Sequence, residues 1–238
     1  MSTHPNMAQR KKAVFNWSGG KDSALALLTI LQEAEFEVVS LLTTIDEKTA
    51  TSSIHDIPLN LLRQQADSIG IPLYPVTLSK EKSYTEGMTE AATHFKDQGV
   101  KHFIFGDIFL SDVRAYREKI LHPLGITLVE PLWGKTSKQV MADFLQSGIK
   151  TKIILTQADQ LDENFIGREI DGDFARSLPS GVDLCGEKGE YHTFSYDGGP
   201  FKNRIDFTIT KVNLISHEFK LDDGSVKHHE YWQAVISG

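Results

Sequence analysis

The sequence predicts an α/β protein with a parallel sheet, helices on both faces of that sheet, and a smaller C-terminal α+β lobe. Short apolar runs alternate with amphipathic helical patterns through the first two-thirds of the 238 residues, which is typical of strand–helix–strand units. The chain becomes dense in glycine and turn-forming residues after residue 178. Residues 204–238 then alternate apolar and polar side chains, as antiparallel strands do.

The predicted elements follow the hydrophobic period along the chain. Strands are predicted at 12–17, 36–44, 72–78, 101–107 and 126–132. Helices are predicted at 22–34, 57–69, 83–96, 112–123 and 137–146. In the C-terminal part we expect a strand at 151–157, a short helix at 169–178, and antiparallel strands around the turn "DDGS" at 222–225. The change near residue 150 predicts two domains, 1–148 and 149–238.

Composition excludes several classes of protein. Residues 24–31 form an apolar run that is too short to span a bilayer, and the amino terminus lacks a signal sequence, so we expect a cytoplasmic protein without a membrane partner. Cys185 is the only cysteine, which leaves no intrachain disulfide and no Cys-x-x-Cys redox pair. A formal net charge of −7 argues against nucleic acid as a partner.

The loop "SGGKDS", residues 18–23, joins the first predicted strand to the first predicted helix. It does not fit the Walker pattern, because Phe15 stands five residues before Gly20, and adjacent glycines rule out the dinucleotide fingerprint. Backbone N–H groups, the helix dipole, two hydroxyls and Lys21 would still converge there, which favours a polyphosphate. Asp22 in the first helical turn would be able to meet a magnesium ion. A plain strand–helix turn capped by Ser18 is the alternative.

The same loop resembles the PP-loop of the ATP pyrophosphatases, which cleave ATP between the α- and β-phosphates on a Rossmann-like fold of the adenine nucleotide α-hydrolase type (HUP type). The resemblance implies that the loop holds the pyrophosphate part of ATP, through Ser18, Gly19, Gly20, Lys21, Asp22 and Ser23. It also implies that the first two strand ends flank the adenosine, through Trp17, Thr43 and Thr44. Gly106 and Asp107 lie at a further strand end and are expected beside the nucleotide.

Residues 55–74, 105–133 and 185–201 together resemble the diphthine–ammonia ligase family. The resemblance implies an ATP-dependent amidation in which a carboxylate is adenylated and ammonia then displaces AMP. Lys21 and Asp22 would be catalytic, and Asp22 and Asp107 would position Mg²⁺. The expected partners are ammonia and a carboxylate-bearing acceptor, either a protein side chain or a small molecule, and a homodimer is one possible oligomeric state.

Two further stretches hold candidate substrate-binding residues. In "SDVRAYRE", Arg114, Arg117 and Glu118 share one helix face and would grip a substrate carboxylate, unless the helix is simply solvated with an Arg114–Glu118 pair. This stretch departs from the Tyr-Gln-Arg element of the eukaryotic and archaeal ligases, which leaves the acceptor open. Trp133 would cover a base or substrate, or belong to the core.

The stretch "CGEKGEYHT" predicts an acid–base and ammonium-recognition cluster in the acceptor pocket, made of Glu187, Glu190 and His192. The alternative is a surface turn that leads into a strand. A small buried role is expected for Cys185, whose isolation argues against sulfur transfer. A metal site at residues 228–230 is disfavoured, because adjacent strand residues point to opposite faces.

Three other functions stay open on the sequence alone. One is an ATP-binding sensor without ligase chemistry, and another is an amidotransferase for a different acceptor, such as a cobamide precursor. The third is tRNA modification, which the acidic charge and the single cysteine disfavour.

Overall fold

A five-stranded parallel sheet forms the first part of the protein. The computed structural model describes residues 10–53, 55–220 and 226–238, apart from the side chains of 217–220 and 226–227. The strands of this sheet are β1 (Lys11–Asn16), β2 (Phe36–Asp46), β3 (Leu73–Leu78), β4 (His102–Ile104) and β5 (Thr127–Val129). They lie in the order β3-β2-β1-β4-β5, and every neighbouring pair is parallel.

Helices cover both faces of this sheet. Alternate strand residues point to opposite sides, and apolar residues of β1 lie on both of them. The helices are α1 (Lys21–Glu33), α2 (Leu59–Ile69), α3 (Tyr84–Asp97), α4 (Ser111–Leu121) and α5 (Ser137–Gln146). Phe15 of β1 packs in the apolar cluster that contains α1, α2 and α5, whereas Val14 packs in the cluster that contains α3 and α4. The predicted doubly covered parallel sheet is confirmed.

The remaining elements form a smaller antiparallel lobe. They are β6 (Lys150–Gln157), α6 (Gly172–Ser177), β7 (Tyr191–Asp197), β8 (Thr208–Lys220) and β9 (Val226–Ser237). The strands lie in the order β7-β6-β9-β8. The predicted α+β lobe is therefore confirmed, and the predicted turn at 222–225 lies outside the described residues.

Some predicted boundaries are wrong by a few residues. β2 continues past residue 44, because Ile45 and Asp46 still pair with β3. The short helix predicted at 169–178 begins only at Gly172, because the Asp171 side chain caps it by accepting a hydrogen bond from Phe174 N at 2.7 Å. The domain boundary at residue 148 stays a prediction, and it falls between the end of α5 and the start of β6.

The two sheets share one hydrophobic core. Trp17 and Leu61 from the first lobe belong to the same buried cluster as Phe194 and Ile236 from the second. This shared core places β7 directly against the start of α1, as the contacts below show. No helix among the described residues is long and apolar enough to cross a membrane.

Candidate active site

A cleft opens where the strand order of the parallel sheet reverses. β1 and β4 are neighbours in the sheet, but the chain continues from β1 to β2 on one side and from β4 to β5 on the other. In open α/β sheets, ligands bind at the point where the strand order reverses in this way. The loop after β4 packs closely on the start of α1, since a Cβ at Gly106 would lie 3.1 Å from Asp22 O. The cleft has a volume of about 260 Å³.

The structure brings most of the predicted site residues to this cleft. Those that line it are Trp17, Ser18, Gly20, Asp22, Ser23, Thr43, Thr44, Gly106, Asp107, Arg117, Glu187 and His192. Those that do not line it are Gly19, Lys21, Arg114, Glu118, Trp133 and Glu190. Residues distant in sequence thus meet at one edge of the sheet.

The glycine loop is held in shape by the second lobe and by α2. Gly19 has a left-handed φ of +83°, and its carbonyl accepts hydrogen bonds from Ser195 N at 2.9 Å and from Gln65 Nε2 at 3.0 Å. The Gln65 side chain is fully buried and also accepts a bond from Trp17 Nε1 at 2.8 Å. The backbone of the loop is therefore fixed before any ligand arrives.

The first turn of α1 borders the cleft, which Asp22 and Ser23 line. No side chain caps the helix at Gly20, although Thr193 Oγ1 accepts a hydrogen bond from Lys21 N at 2.9 Å. Among the described residues, no hydrogen bond outside the helix itself joins the backbone N–H of Asp22 or Ser23 to another residue, although the Asp22 carboxylate accepts a bond from its own N–H. Open N–H groups at a helix N-terminus favour an anion, so the geometry fits the phosphates of a nucleotide.

Ser18 is not a cap of α1 in the structure. Its hydroxyl donates a hydrogen bond to Ser23 Oγ at 3.1 Å, and Ser23 in turn donates to the carbonyl of Gly20 at 3.0 Å. Both hydroxyls lie at the rim of the cleft. The alternative of a strand–helix turn capped by Ser18 is therefore wrong.

Lys21 lies under the loop and does not face the cleft. Its side chain is 4% exposed, and Nζ donates to Asp22 Oδ2 at 2.6 Å and to the carbonyl of Cys185. The ring of Tyr191 lies 5.3 Å from the same ammonium. Burial acts to lower the pKa of Lys21, but Asp22, Tyr191 and Cys185 together outweigh it and raise the pKa. The ammonium is thus charged and balances a cleft carboxylate.

Three carboxylates reach the cleft, from three different segments. Asp22 exposes 27% of its side chain, Asp107 forms an ion pair with Arg117, and Glu187 Oε1 accepts a hydrogen bond from Ile108 N at 3.0 Å. Burial, with Asp22 as a smaller contribution, raises the pKa of Glu187 to about 7. A carboxyl group with such a pKa is able to exchange protons near neutral pH.

Arg117 anchors the wall of the cleft formed by α4. Its guanidinium pairs with Asp107, lies 4.0 Å from Glu130 Oε1, and stacks over the Phe105 ring with its centre 4.1 Å from the centroid. Glu130 is 1% exposed in its side chain. Burial raises the pKa of Glu130, and the arginines act in the opposite direction.

Arg114 shares that buried Glu130 but lies outside the cleft. Its Nη1 is 3.2 Å from Glu130 Oε2, its Nε is 3.1 Å from Glu118, and its guanidinium lies 4.6 Å from the ring centroid of Trp133. The predicted common helix face exists, but both arginines pair with carboxylates of this chain. The contact with a substrate carboxylate stays a prediction.

Glu190 and Cys185 stabilise the loop that carries Glu187. Glu190 is buried, and its two oxygens accept hydrogen bonds from Asp183 N at 2.9 Å and Lys188 N at 3.0 Å. The Cys185 thiol is also buried, and burial raises its pKa to about 12, which keeps it protonated. Cys185 thus has the small, buried role that the sequence predicted.

His192 lies beside a histidine that the sequence analysis did not select. Its ring packs edge-on against His55 with centroids 4.6 Å apart, and both side chains line the cleft. The only signal for His55 was its place at the start of a stretch that resembles the ligase family. Gln65 and Thr193 gave no local signal, because their roles depend on contacts between the lobes.

Comparison with known proteins identifies the family. A model of the diphthamide synthase N-terminal domain matches residues 11–128, and a model of the diphthamide synthase C-terminal domain matches residues 136–231. The diphthine–ammonia ligase of Danio rerio is 23% identical over 231 residues, covering 84% of this chain and 88% of the relative.

Two other relatives bear the same name. That of Bos taurus is 26% identical, covering 84% of this chain and 83% of the relative. That of Schizosaccharomyces pombe is 28% identical, covering 92% of this chain and 40% of the yeast protein. The chain therefore belongs to the diphthamide synthase family, that of the diphthine–ammonia ligases, which confirms the predicted class of enzyme, an ATP-dependent ammonia ligase.

Proposed function

We propose that this protein adenylates a carboxylate with ATP and then amidates it with ammonia, releasing AMP and pyrophosphate. One observation carries the proposal. The N–H groups in the first turn of α1 lie beside a cleft that also contains Asp22, Asp107 and Glu187. Anion-binding donors and acid–base groups are thus combined in one cavity, as adenylation followed by amidation requires.

The first step forms an acyl-adenylate. An oxygen of the acceptor carboxylate attacks the α-phosphorus of ATP, and the bond to the β-phosphate bridging oxygen breaks. The leaving pyrophosphate gains negative charge, which the N–H groups of Asp22 and Ser23 would stabilise. Thr43 and Thr44 at the end of β2 would hold the adenosine side of the nucleotide.

The second step transfers nitrogen. Ammonia attacks the acyl carbon, the bond to the adenylate oxygen breaks, and AMP leaves with its electron pair. A base must remove a proton from the nitrogen, and Glu187 is the cleft carboxyl placed for this role by its bond to Ile108 N. His192 also lines the cleft and is the second candidate acid–base group.

The site also fits Mg²⁺, which prefers carboxylate and phosphate oxygens together with water. Asp22 and Asp107 are the two carboxylates that would hold it, since both line the cleft and Gly106, next to Asp107, packs on the backbone of Asp22. Within the described residues, no three His, Cys, Asp or Glu side chains are close enough to hold a metal ion. The ion would supply positive charge for the phosphates.

The acceptor is proposed to be a diphthine-type carboxylate, after the name of the relatives. Arg117 is the guanidinium that lines the cleft, and it would bind this carboxylate if Asp107 turned toward a metal ion. Because the α4 sequence departs from the Tyr-Gln-Arg element, other carboxylates belong in the same assay. A homodimer and a cytoplasmic location stay predictions.

Phosphorus NMR tests the proposed cleavage. The protein is incubated with ATP, Mg²⁺, ammonium and a panel of carboxylates that includes a diphthine-containing protein. We expect AMP and pyrophosphate in equal amounts, and only when the acceptor is present. Formation of ADP and phosphate would contradict the proposed bond cleavage, and ATP binding without turnover on any acceptor would favour a sensor.

Two matched variants test the site. Asp22 and Asp112 are both aspartates in the first turn of a helix, but Asp112 is exposed at the start of α4 and lies outside the cleft. We expect Asp22→Asn to lower ATP–pyrophosphate exchange by about 100-fold or more, because it removes a charged group from the reacting centre. Asp112→Asn should keep the wild-type rate, and equal rates in both variants would refute the role of Asp22.

A further inference from the structure

Two imidazole rings stand directly beside the glycine loop. A Cβ built on Gly20 would lie 3.3 Å from His55 Nε2 and 3.2 Å from Thr193 Oγ1. His192 precedes Thr193 on β7, and its ring packs on His55 at 75°. His55 therefore lies next to the backbone of Gly20, just before α1, and His192 lies against His55.

The segment that carries His55 is held in place by the fold. Asp56 N donates to the carbonyl of Ser52 at 3.1 Å, and Ile57 N donates to the Ser52 hydroxyl at 3.1 Å. The carboxylate of Asp56 also accepts a hydrogen bond from Gln233 of β9. His55 thus lies in a turn that is bonded to both lobes.

The ring nitrogens of both histidines are open to a ligand. Both side chains line the cleft, and no hydrogen bond among the described residues involves a ring nitrogen of either histidine. The ring nitrogens therefore have hydrogen-bonding capacity available to a molecule in the cleft.

We propose that His55 and His192 form a phosphate subsite beside the glycine loop, and that the pair takes up one proton from solvent when the polyphosphate of a nucleotide binds. This inference rests on the proposed nucleotide site but adds two ligands and a proton to it. The proton from solvent forms an N–H bond on one ring, and that N–H donates to a phosphate oxygen.

The charges around the pair explain why one proton would be taken up. Burial lowers the pKa of His192 to about 4, with a smaller effect of Lys21. Burial also lowers the pKa of His55, with smaller effects of His192 and Lys21. Both rings are therefore neutral in the empty cleft at pH 7. The other charged groups that line the cleft are Asp22, Asp107, Arg117 and Glu187.

A bound polyphosphate opposes the effect of burial on the pKa values of the two histidines. Its negative charges raise the pKa of a neighbouring imidazole, because they favour the charged form. One cation on the pair then disfavours a second, since the rings are only 4.6 Å apart. Nucleotide affinity should therefore rise as the pH falls toward 6, with a slope of at most about tenfold per pH unit for one proton.

Isothermal titration calorimetry with ATP and Mg²⁺, in buffers of low and high ionisation enthalpy at pH 6.5, counts the protons. We expect the wild-type protein to take up about one proton more than the His55→Gln, His192→Gln double variant. The proton release or uptake of ATP itself is the same in both titrations and cancels. His94→Gln is the matched control, because His94 stacks on Tyr74 away from the cleft.

Each outcome decides the inference. Equal proton counts in the wild type and the double variant, with ATP bound by both, would overturn the subsite and leave the proposed function intact. The absence of ATP binding by the folded wild type would overturn both. If the double variant does not fold, imidazole NMR of the wild type decides: pyrophosphate should shift the Cε1–H signal of one histidine toward the protonated form, and unchanged signals would refute the subsite.

Discussion

Glu187 and Asp22 reach the cleft from opposite lobes and differ in their surroundings. Asp22 is paired with the buried Lys21 ammonium, whereas Glu187 has a single hydrogen bond from Ile108 N and a pKa raised to about 7 by burial. Two carboxyl groups in different environments are suited to different tasks. We assign the phosphate side of the reaction to Asp22 and the ammonia side to Glu187.

This division gives a prediction for Glu187→Gln. The amide keeps the size of the side chain but cannot accept a proton, so amide formation should fall by about 100-fold or more. ATP–pyrophosphate exchange with the acceptor should stay within a few-fold of wild type, since Glu187 would act after adenylation. The two half-reactions are measured separately with labelled pyrophosphate and labelled ammonium.

Glu33→Gln is the control, because Glu33 is exposed at the C-terminal end of α1. It should leave both half-reactions unchanged. A Glu187→Gln protein that loses exchange and amidation equally would contradict the assignment of Glu187 to the ammonia step.

At the scale of elements, α2 and β7 determine the shape of the glycine loop. Gln65 of α2 bonds Trp17, Gly19 and the carbonyl of Ser195, the last at 2.6 Å. β7 adds the bond from Ser195 N to Gly19 O. Both elements follow the loop in sequence by many residues, so the nucleotide site is complete only when the second lobe has docked.

Gln65→Leu should therefore weaken both the fold and the site. It leaves the indole N–H of Trp17 and one carbonyl contact of Gly19 without a partner in a buried place, which costs about 2–4 kcal/mol of unfolding free energy. ATP affinity should fall as the loop loses its fixed geometry. Urea denaturation and calorimetry measure the two effects.

The neighbouring Gln64 gives a matched control on the same helix. Its side chain is exposed, so Gln64→Leu should change the unfolding free energy by no more than about 0.5 kcal/mol. Similar losses in both variants would mean that the contacts of Gln65 do not stabilise the loop.

At the scale of the whole molecule, the shared core links the two lobes. The cluster that contains Phe15 and Leu61 also contains Phe194, Tyr196 and Ile236, so neither sheet buries its inner face alone. Because burial of apolar surface is the main favourable contribution to folding, separating the lobes would expose much of this cluster.

We therefore expect the full chain to unfold in urea as one cooperative unit, although two family models divide it. Far-UV circular dichroism and tryptophan fluorescence should give the same midpoint if the lobes unfold together. The fluorescence reports on both lobes, because Trp17 and Trp232 lie in different lobes. Hydrogen exchange near the midpoint should show β1 and β7 opening together. Two separate transitions would contradict a shared core.

The sequence by itself determined the fold class, the glycine loop and about half of the residues that line the cleft. The strand–helix alternation placed Gly20, Thr43 and Asp107 at one edge of the sheet, where they line the cleft, because the ends of parallel strands meet there; their roles stay predictions. The "CGEKGEYHT" stretch identified Glu187 and His192. These features are local, since each depends on a short pattern and on its place at the end of an element.

Only the tertiary structure decided how these residues face one another. It turned Lys21 under the loop toward the Cys185 carbonyl, fixed Glu190 to its own loop, and brought His55 and Gln65 to the nucleotide site. The direction of a side chain depends on which partners satisfy its charge and hydrogen bonds. For Lys21 and the glycine loop some of those partners lie in the other lobe, where no local pattern of the sequence reveals them.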